Sequence, residues 1–130
     1  MPNVRLLRAR LLFDGGYYDR ALAEFRNTSL SDFPRYRDQL ELTYRLGRIY
    51  TAQGQTEKAL PLFRQTLRNG SSRQWHYAAN AALQLGTIYE AAGQPDSAAY
   101  YYNSCLDLRH HEYQNSIDQK AQAGLERVGK

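Results

Sequence analysis

One cysteine, Cys105, stands in 130 residues, so no internal disulfide can form and no zinc site built on cysteine pairs is available. No apolar run approaches the roughly 20 residues that span a bilayer. β-Branched residues are scarce and no stretch alternates apolar with polar, which removes strand-built folds. The signatures of chemistry are missing too: there is no G-x-S-x-G, no P-loop and no dinucleotide fingerprint. Gly15-Gly16 lacks a following Lys-Ser/Thr and reads as a turn. His76, His110 and His111 lack zinc-ligand spacing, because adjacent histidines point apart. The acids Asp38, Glu41, Asp96, Asp107 and Glu112 are scattered over helix starts and exposed faces, where they meet the helix dipole favourably. The expectation is a protein with no catalytic residues, no metal and no cofactor.

What is present is globular. The chain is 42% apolar and 23% charged with both signs represented, which argues against disorder and suits one domain's worth of chain. It also repeats. Ala21 to Phe25, Ala59 to Phe63 and Ala98 to Tyr102 each set an alanine four residues before an aromatic. Each alanine follows a glycine by five residues, Gly16, Gly54 and Gly93, giving steps of 38 (54 − 16) and 39 (93 − 54). A fixed step of this size marks stacked supersecondary units, each burying its apolar face against its neighbours.

Leu46-Gly47-x-x-Tyr50 and Leu85-Gly86-x-x-Tyr89, each followed by Gly and then Ala-x-x-x-Phe/Tyr, resemble the tetratricopeptide repeat, a helix–turn–helix unit. The resemblance covers residues 2–128. It departs from the family where Arg5, Thr43 and Ala82 replace an early Trp and where the closing Pro is missing. The step also exceeds the family's usual length of about 34. The surplus lies between hairpins: Phe25 to Leu46 is 21 residues and Phe63 to Leu85 is 22. Four or five residues are about one helical turn, so the first helix of each later repeat is expected to be a turn longer. The implied fold is all-α, a right-handed α-α superhelix (solenoid) of three hairpins plus a capping helix, forming a single domain over 1–130. The repeats fall at about 2–30, 33–69 and 72–109, and the cap at about 112–128.

Helical spacing cut by glycine turns places seven helices at roughly 2–14, 17–29, 33–53, 56–68, 72–92, 95–108 and 112–128. Asp32 or Ser31 is expected to cap the third ahead of Pro34, Thr56 the fourth, and Ser71 with Gln74 to box the fifth. Pro95 suits the first position of the sixth, and Gly54 and Gly93 suit left-handed closures. Ile117, Ala121, Gly124 and Val128 stripe the last helix, whose other faces are polar, as befits a cap ending the array near residue 128. Arg5 and Arg8 make the first helix a less complete cap, leaving room for repeats ahead of it. Cys105, near the end of a second helix, reads as a buried, inert thiol.

In the resembling family the first helices line a concave groove. Carried over by position, that surface takes Leu6, Arg10 and Phe13, then Glu41, Tyr44, Arg45, Arg48 and Thr51, then Asn80, Leu83, Gln84, Thr87 and Glu90. Guanidinium forks bind carboxylates bidentately and amides can bond a peptide backbone, which fits an acidic peptide or a C-terminal carboxylate. Pairing of the arginines with Glu41 and Asp38 at helical spacing is the competing reading. The family's clamp for chaperone tails needs a Lys/Asn pair, an Asn, and a Lys/Arg pair; Leu6/Arg10, Arg45 and Asn80/Gln84 match it nowhere. Tyr36, Trp75 and Tyr113 recur at steps of 39 and 38, either packing the added turn or forming an aromatic rim for a partner. Tyr100 and Tyr101, just ahead of the core aromatic Tyr102, point elsewhere on the helix, and one of them is expected to be exposed in a patch for self-association.

The expected function is a non-catalytic protein-binding module. Self-assembly, or a structural place in a longer array, is the alternative. Single-stranded nucleic acid is a further rival raised by the +4 charge and the Arg/Tyr mixture, but the charge is modest and no Lys/Arg run appears. The basic, acid-free start over residues 1–13 resembles an organellar presequence. Leu6, Ala9, Leu12 and Phe13 nevertheless fall where the first repeat needs its stripe, and a cytoplasmic location is expected.

Overall fold

The computed structural model describes residues 3–73, 75–109 and 112–129. Among them the backbone forms seven α-helices, one 3-10 turn and no strand. The order is α1 (Val4–Asp14), α2 (Tyr18–Ala23), the 3-10 turn Leu30–Asp32, α3 (Tyr36–Ala52), α4 (Thr56–Gly70), α5 (Tyr77–Ala91), α6 (Pro95–Asp107) and α7 (Gln114–Arg127). The chain divides into two compact units, Met1–Leu62 and Phe63–Lys130.

In the first unit, the Asn3 side chain accepts from the Leu6 N–H at 3.1 Å and so starts α1. Gly16, at φ 84, reverses the chain, and the Tyr17 N–H closes back on the Leu12 carbonyl at 2.8 Å. α2 stops at Ala23, six residues short of the expected 29. Beyond it the N–H groups of Glu24, Phe25 and Arg26 bond three residues back rather than four, the tighter 3-10 pattern. Asn27 then turns left-handed at φ 59. Arg5 helps hold this end open, donating to the Glu24 carbonyl at 2.9 Å and to the Thr28 hydroxyl.

The third helix starts at Tyr36, not 33. The cap expected of Ser31 or Asp32 is corrected: Ser29 and Asp32 form a reciprocal capping box around the 3-10 turn, which uses up that acid three residues too early. The N-cap of α3 is Arg35, whose Nε instead bonds the first-turn Asp38 at 2.9 Å. Leu6, Ala9, Ala21, Phe25, Phe33, Leu42 and Ile49 form the core of this unit.

The second unit packs α5, α6 and α7 around Ala79, Ala82, Leu83, Ala98, Tyr102, Cys105, Ile117 and Ala121. Gly93 at φ 74 ends the turn before Pro95, the first residue of α6. The Tyr102 ring, fully buried, is the wedge of the unit. A Cβ at Gly86 would lie 2.6 Å from that ring and one at Gly124 2.4 Å, so both helices can reach Tyr102 only as glycine. α5 begins at Tyr77, later than the expected 72; the proposed Ser71–Gln74 box involves Gln74, which lies outside the described residues. α3 and α5 run 17 and 15 residues against 11 for α1, a turn or more longer. Burial, with Asp118 adding to it, pushes the Cys105 thiol up to about 12, an unreactive state at neutral pH.

Candidate peptide-binding site

α1 and α3 together place four of the nominated residues in one cluster within the first unit. The Arg45 guanidinium lies 5.4 Å from the Phe13 ring centre and 5.8 Å from that of Tyr44. Arg48 sits over the same two rings, at 5.2 and 5.8 Å. Its Nη1 donates to the Tyr44 hydroxyl at 2.9 Å, a contact made possible by the i,i+4 spacing along α3. Two cations thus share two aromatic faces, an arrangement that attracts each to the rings while the cations repel one another.

Arg45 is the unusual member. It is only 8% exposed, and its Nε finds no hydrogen-bond partner. Burial holds its pKa below the ordinary value, opposed by the charges of Tyr44, Glu41 and Asp14, while Arg48 lowers it further. A buried N–H without an acceptor costs about 1–3 kcal/mol, and more when it belongs to a charged group. A negative charge beside the pair would offset the repulsion between the two arginines.

The remaining nominated residues differ in what they offer. Leu6 is 2% exposed and belongs to the core, so the apolar contact on this face comes from half-buried Phe13. Arg10 is exposed on α1, three residues before Phe13. Asn80, Gln84 and Thr87 follow helical spacing on α5 in the second unit, where Asn80 and Gln84 are half-buried. The Thr87 hydroxyl donates to the Leu83 carbonyl at 3.0 Å, and Leu83 itself is core. Glu90 is committed elsewhere: it accepts from the Tyr102 hydroxyl at 2.6 Å and from Arg127 Nε at 2.8 Å. Nothing local in the sequence announces that triad, because Arg127 lies 37 residues away.

The recurring aromatics also separate. Tyr36, the first residue of α3, belongs to the first unit. In the second, Trp75 lies beneath the Arg73 guanidinium at 5.9 Å. Tyr113, left-handed at φ 60, meets the His76 ring edge-on at 5.3 Å, and His76 Nδ1 is 2.9 Å from Glu112. His110 and His111 lie outside the described residues. Tyr100 and Tyr101 gain partners that were not anticipated, in a cluster joining α4, α5 and α6: Tyr101 stacks on Tyr89 at 5.6 Å, exposed Tyr100 meets Tyr101 edge-on, and Arg64 donates to the hydroxyls of Tyr89 and Tyr101.

Helical hairpins recurring at a fixed step, the first two with a cation–aromatic cluster on α1 and α3, define a helical-repeat protein. Tetratricopeptide repeat models match residues 38–109, more than half the chain, and residues 2–27. The chain belongs to the tetratricopeptide repeat family, whose repeats generally mediate protein–protein interaction and are generally non-catalytic. No curated protein and no solved structure matches it. No helix among the described residues is long and apolar enough to cross a membrane.

Proposed function

We propose that the chain is a binding module for an acidic peptide segment or a C-terminal carboxylate of another protein, received on the α1/α3 face. One observation carries the reading: Arg45 and Arg48 are held together over Phe13 and Tyr44 with the Arg45 Nε lacking an acceptor. Arg48, the more accessible of the two, is the first contact for a carboxylate. Arg45 behind it adds the second charge. Phe13 supplies the apolar floor and Arg10 a further cation on the same helix. In the second unit, taken by itself, Asn80, Gln84 and Thr87 offer amides and a hydroxyl on α5, the kinds of group that bond an extended backbone. Nothing in this role calls for a catalytic group.

Selection from a peptide-display library tests this, run in parallel on the parent and on an Arg10→Glu/Arg45→Glu/Arg48→Glu variant. An acidic or carboxy-terminal consensus retained only by the parent is the expected result. Enrichment that is absent, or identical in the variant, refutes the basic site. Affinity should fall with added salt, but less steeply than for a nucleic-acid ligand bridging many phosphates.

A further inference from the structure

Arg64 is held differently from the arginines that pair with acids. Arg8, Arg35, Arg109 and Arg127 each face a carboxylate, whereas Arg64, exposed on α4, bonds no acid among the described residues. Its Nε donates to the Tyr101 hydroxyl at 3.4 Å and its Nη2 to the Tyr89 hydroxyl. The bond to Tyr101, outweighing burial, raises its pKa. A guanidinium can grip an oxyanion along its Nε/Nη2 edge or along its Nη1/Nη2 edge. The tyrosine hydroxyls take the first edge and leave the second open. Each hydroxyl oxygen that accepts from Arg64 still has its own proton to donate, and Tyr89 Oη, bonded at the shared Nη2, flanks the open edge. The rings keep the arginine in place: Tyr101 stacks on Tyr89 at 5.6 Å with an interplanar angle of 5°. Beside them Tyr100 is 62% exposed, its ring edge-on to Tyr101 at 4.9 Å. A fixed cation with an open edge thus stands next to an exposed aromatic ring.

We infer that the Arg64–Tyr89–Tyr100–Tyr101 cluster is a binding site for a phosphotyrosine side chain of a partner protein. The phosphoryl oxygens take the Nη1/Nη2 edge of Arg64 and the Tyr89 hydroxyl proton, while the ligand's ring packs on Tyr100. A phosphoryl monoester brings about two negative charges and a third acceptor oxygen. A carboxylate brings one charge and two oxygens, a poorer match to a guanidinium edge flanked by a hydroxyl. An aliphatic phosphate would leave the exposed Tyr100 ring without a partner. The cluster lies within the second unit and shares no residue with the Phe13–Arg48 site, so it is tested independently of the carboxylate reading.

Phenyl phosphate carries the ring and the phosphoryl group alone, and is the probe. It is titrated into the 15N-labelled full chain beside inorganic phosphate and phenylacetate, and binding is read from the amide and arginine side-chain resonances. Phenyl phosphate is expected to bind at about millimolar, the weak end of specific association, and the other two at least tenfold more weakly. Arg64→Gln, at an exposed position, should abolish the binding with unchanged helical circular dichroism, and Arg26→Gln, at an exposed arginine of the first unit, should leave it intact. Tyr100→Ala should weaken phenyl phosphate several-fold without affecting inorganic phosphate. Phenyl phosphate that fails to bind, or binds equally well to Arg64→Gln, overturns the proposal. Inorganic phosphate or phenylacetate binding as tightly as phenyl phosphate would make the cluster a general anion site and overturn the phosphotyrosine assignment.

Discussion

Two arginine sites, one in each unit, differ in how completely they are satisfied. In the second unit Arg127 donates through Nε and Nη2 to Glu90, which also accepts from Tyr102. In the first, Arg45 and Arg48 share aromatic rings, and the more buried of the two keeps an Nε with no acceptor. The former is closed: each charge has its complement and the Tyr102 hydroxyl is used. Its role is to fasten α7 and α5 to the Tyr102 wedge. The latter sets two cations over the same two rings, with Glu41 and Asp14 acting on Arg45 only through their charge. Saturated polar networks stabilise, whereas unsaturated ones are costly unless a ligand completes them.

The sharpest way to break the comparison is at the wedge. Gly124→Val puts carbon atoms into space filled by the Tyr102 ring and should cost about 3 kcal/mol, the upper part of the overpacking range. Chemical denaturation would register it as a lowered midpoint, and an unchanged midpoint would mean the ring is not clamped. Tyr102→Phe, which removes only the hydroxyl that bonds Glu90, should cost about 1.5 kcal/mol, as for a bond to a charged acceptor.

The closed triad also sets an acid limit. The bonds from Arg127 and then Tyr102 hold the Glu90 pKa below its ordinary value of 4.5. Its stabilisation is therefore full above that value and is lost as pH falls through the lowered one. Thermal melts between about pH 6 and pH 3 should show the parent losing more stability than Glu90→Gln, which cannot titrate. The smallest stability effect is expected at the open site. Arg45→Met keeps most of the volume and removes a desolvated charge, so the melting temperature should hold or rise slightly. Peptide affinity should meanwhile fall by about tenfold or more, equivalent to about 1.4 kcal/mol. The reverse pattern, lost stability with affinity intact, would make Arg45 a structural residue like Arg127.

Much of the helical framework was legible because its signals are local. Gly16, Gly54 and Gly93 all sit at positive φ, a need few other residues meet, and the Ala–aromatic pairs mark buried second-helix positions. The connection after α2 was not legible, since Ser29, Ser31 and Asp32 are all competent caps and only the geometry decides which turn they serve. The site was half legible. The i,i+4 spacing of Tyr44 and Arg48 predicts their contact, but the burial of Leu6 and the diversion of Glu90 depend on packing between distant segments. Tyr102 was readable as a core aromatic, yet its hydroxyl's need for a partner, the one clue to the triad, does not say which acid answers it.

The central claim, that a carboxylate docks against the Arg45–Arg48 pair, can be read at the arginine itself. The measurement is the 15N–1H resonance of Arg45 Nε, assigned through Arg45→Met, followed while a display-selected acidic peptide is titrated in. A large shift of that resonance, saturating together with binding and absent when the peptide's carboxylates are amidated, is the predicted result. A peptide that binds while the Arg45 Nε signal stays in place would contradict the account.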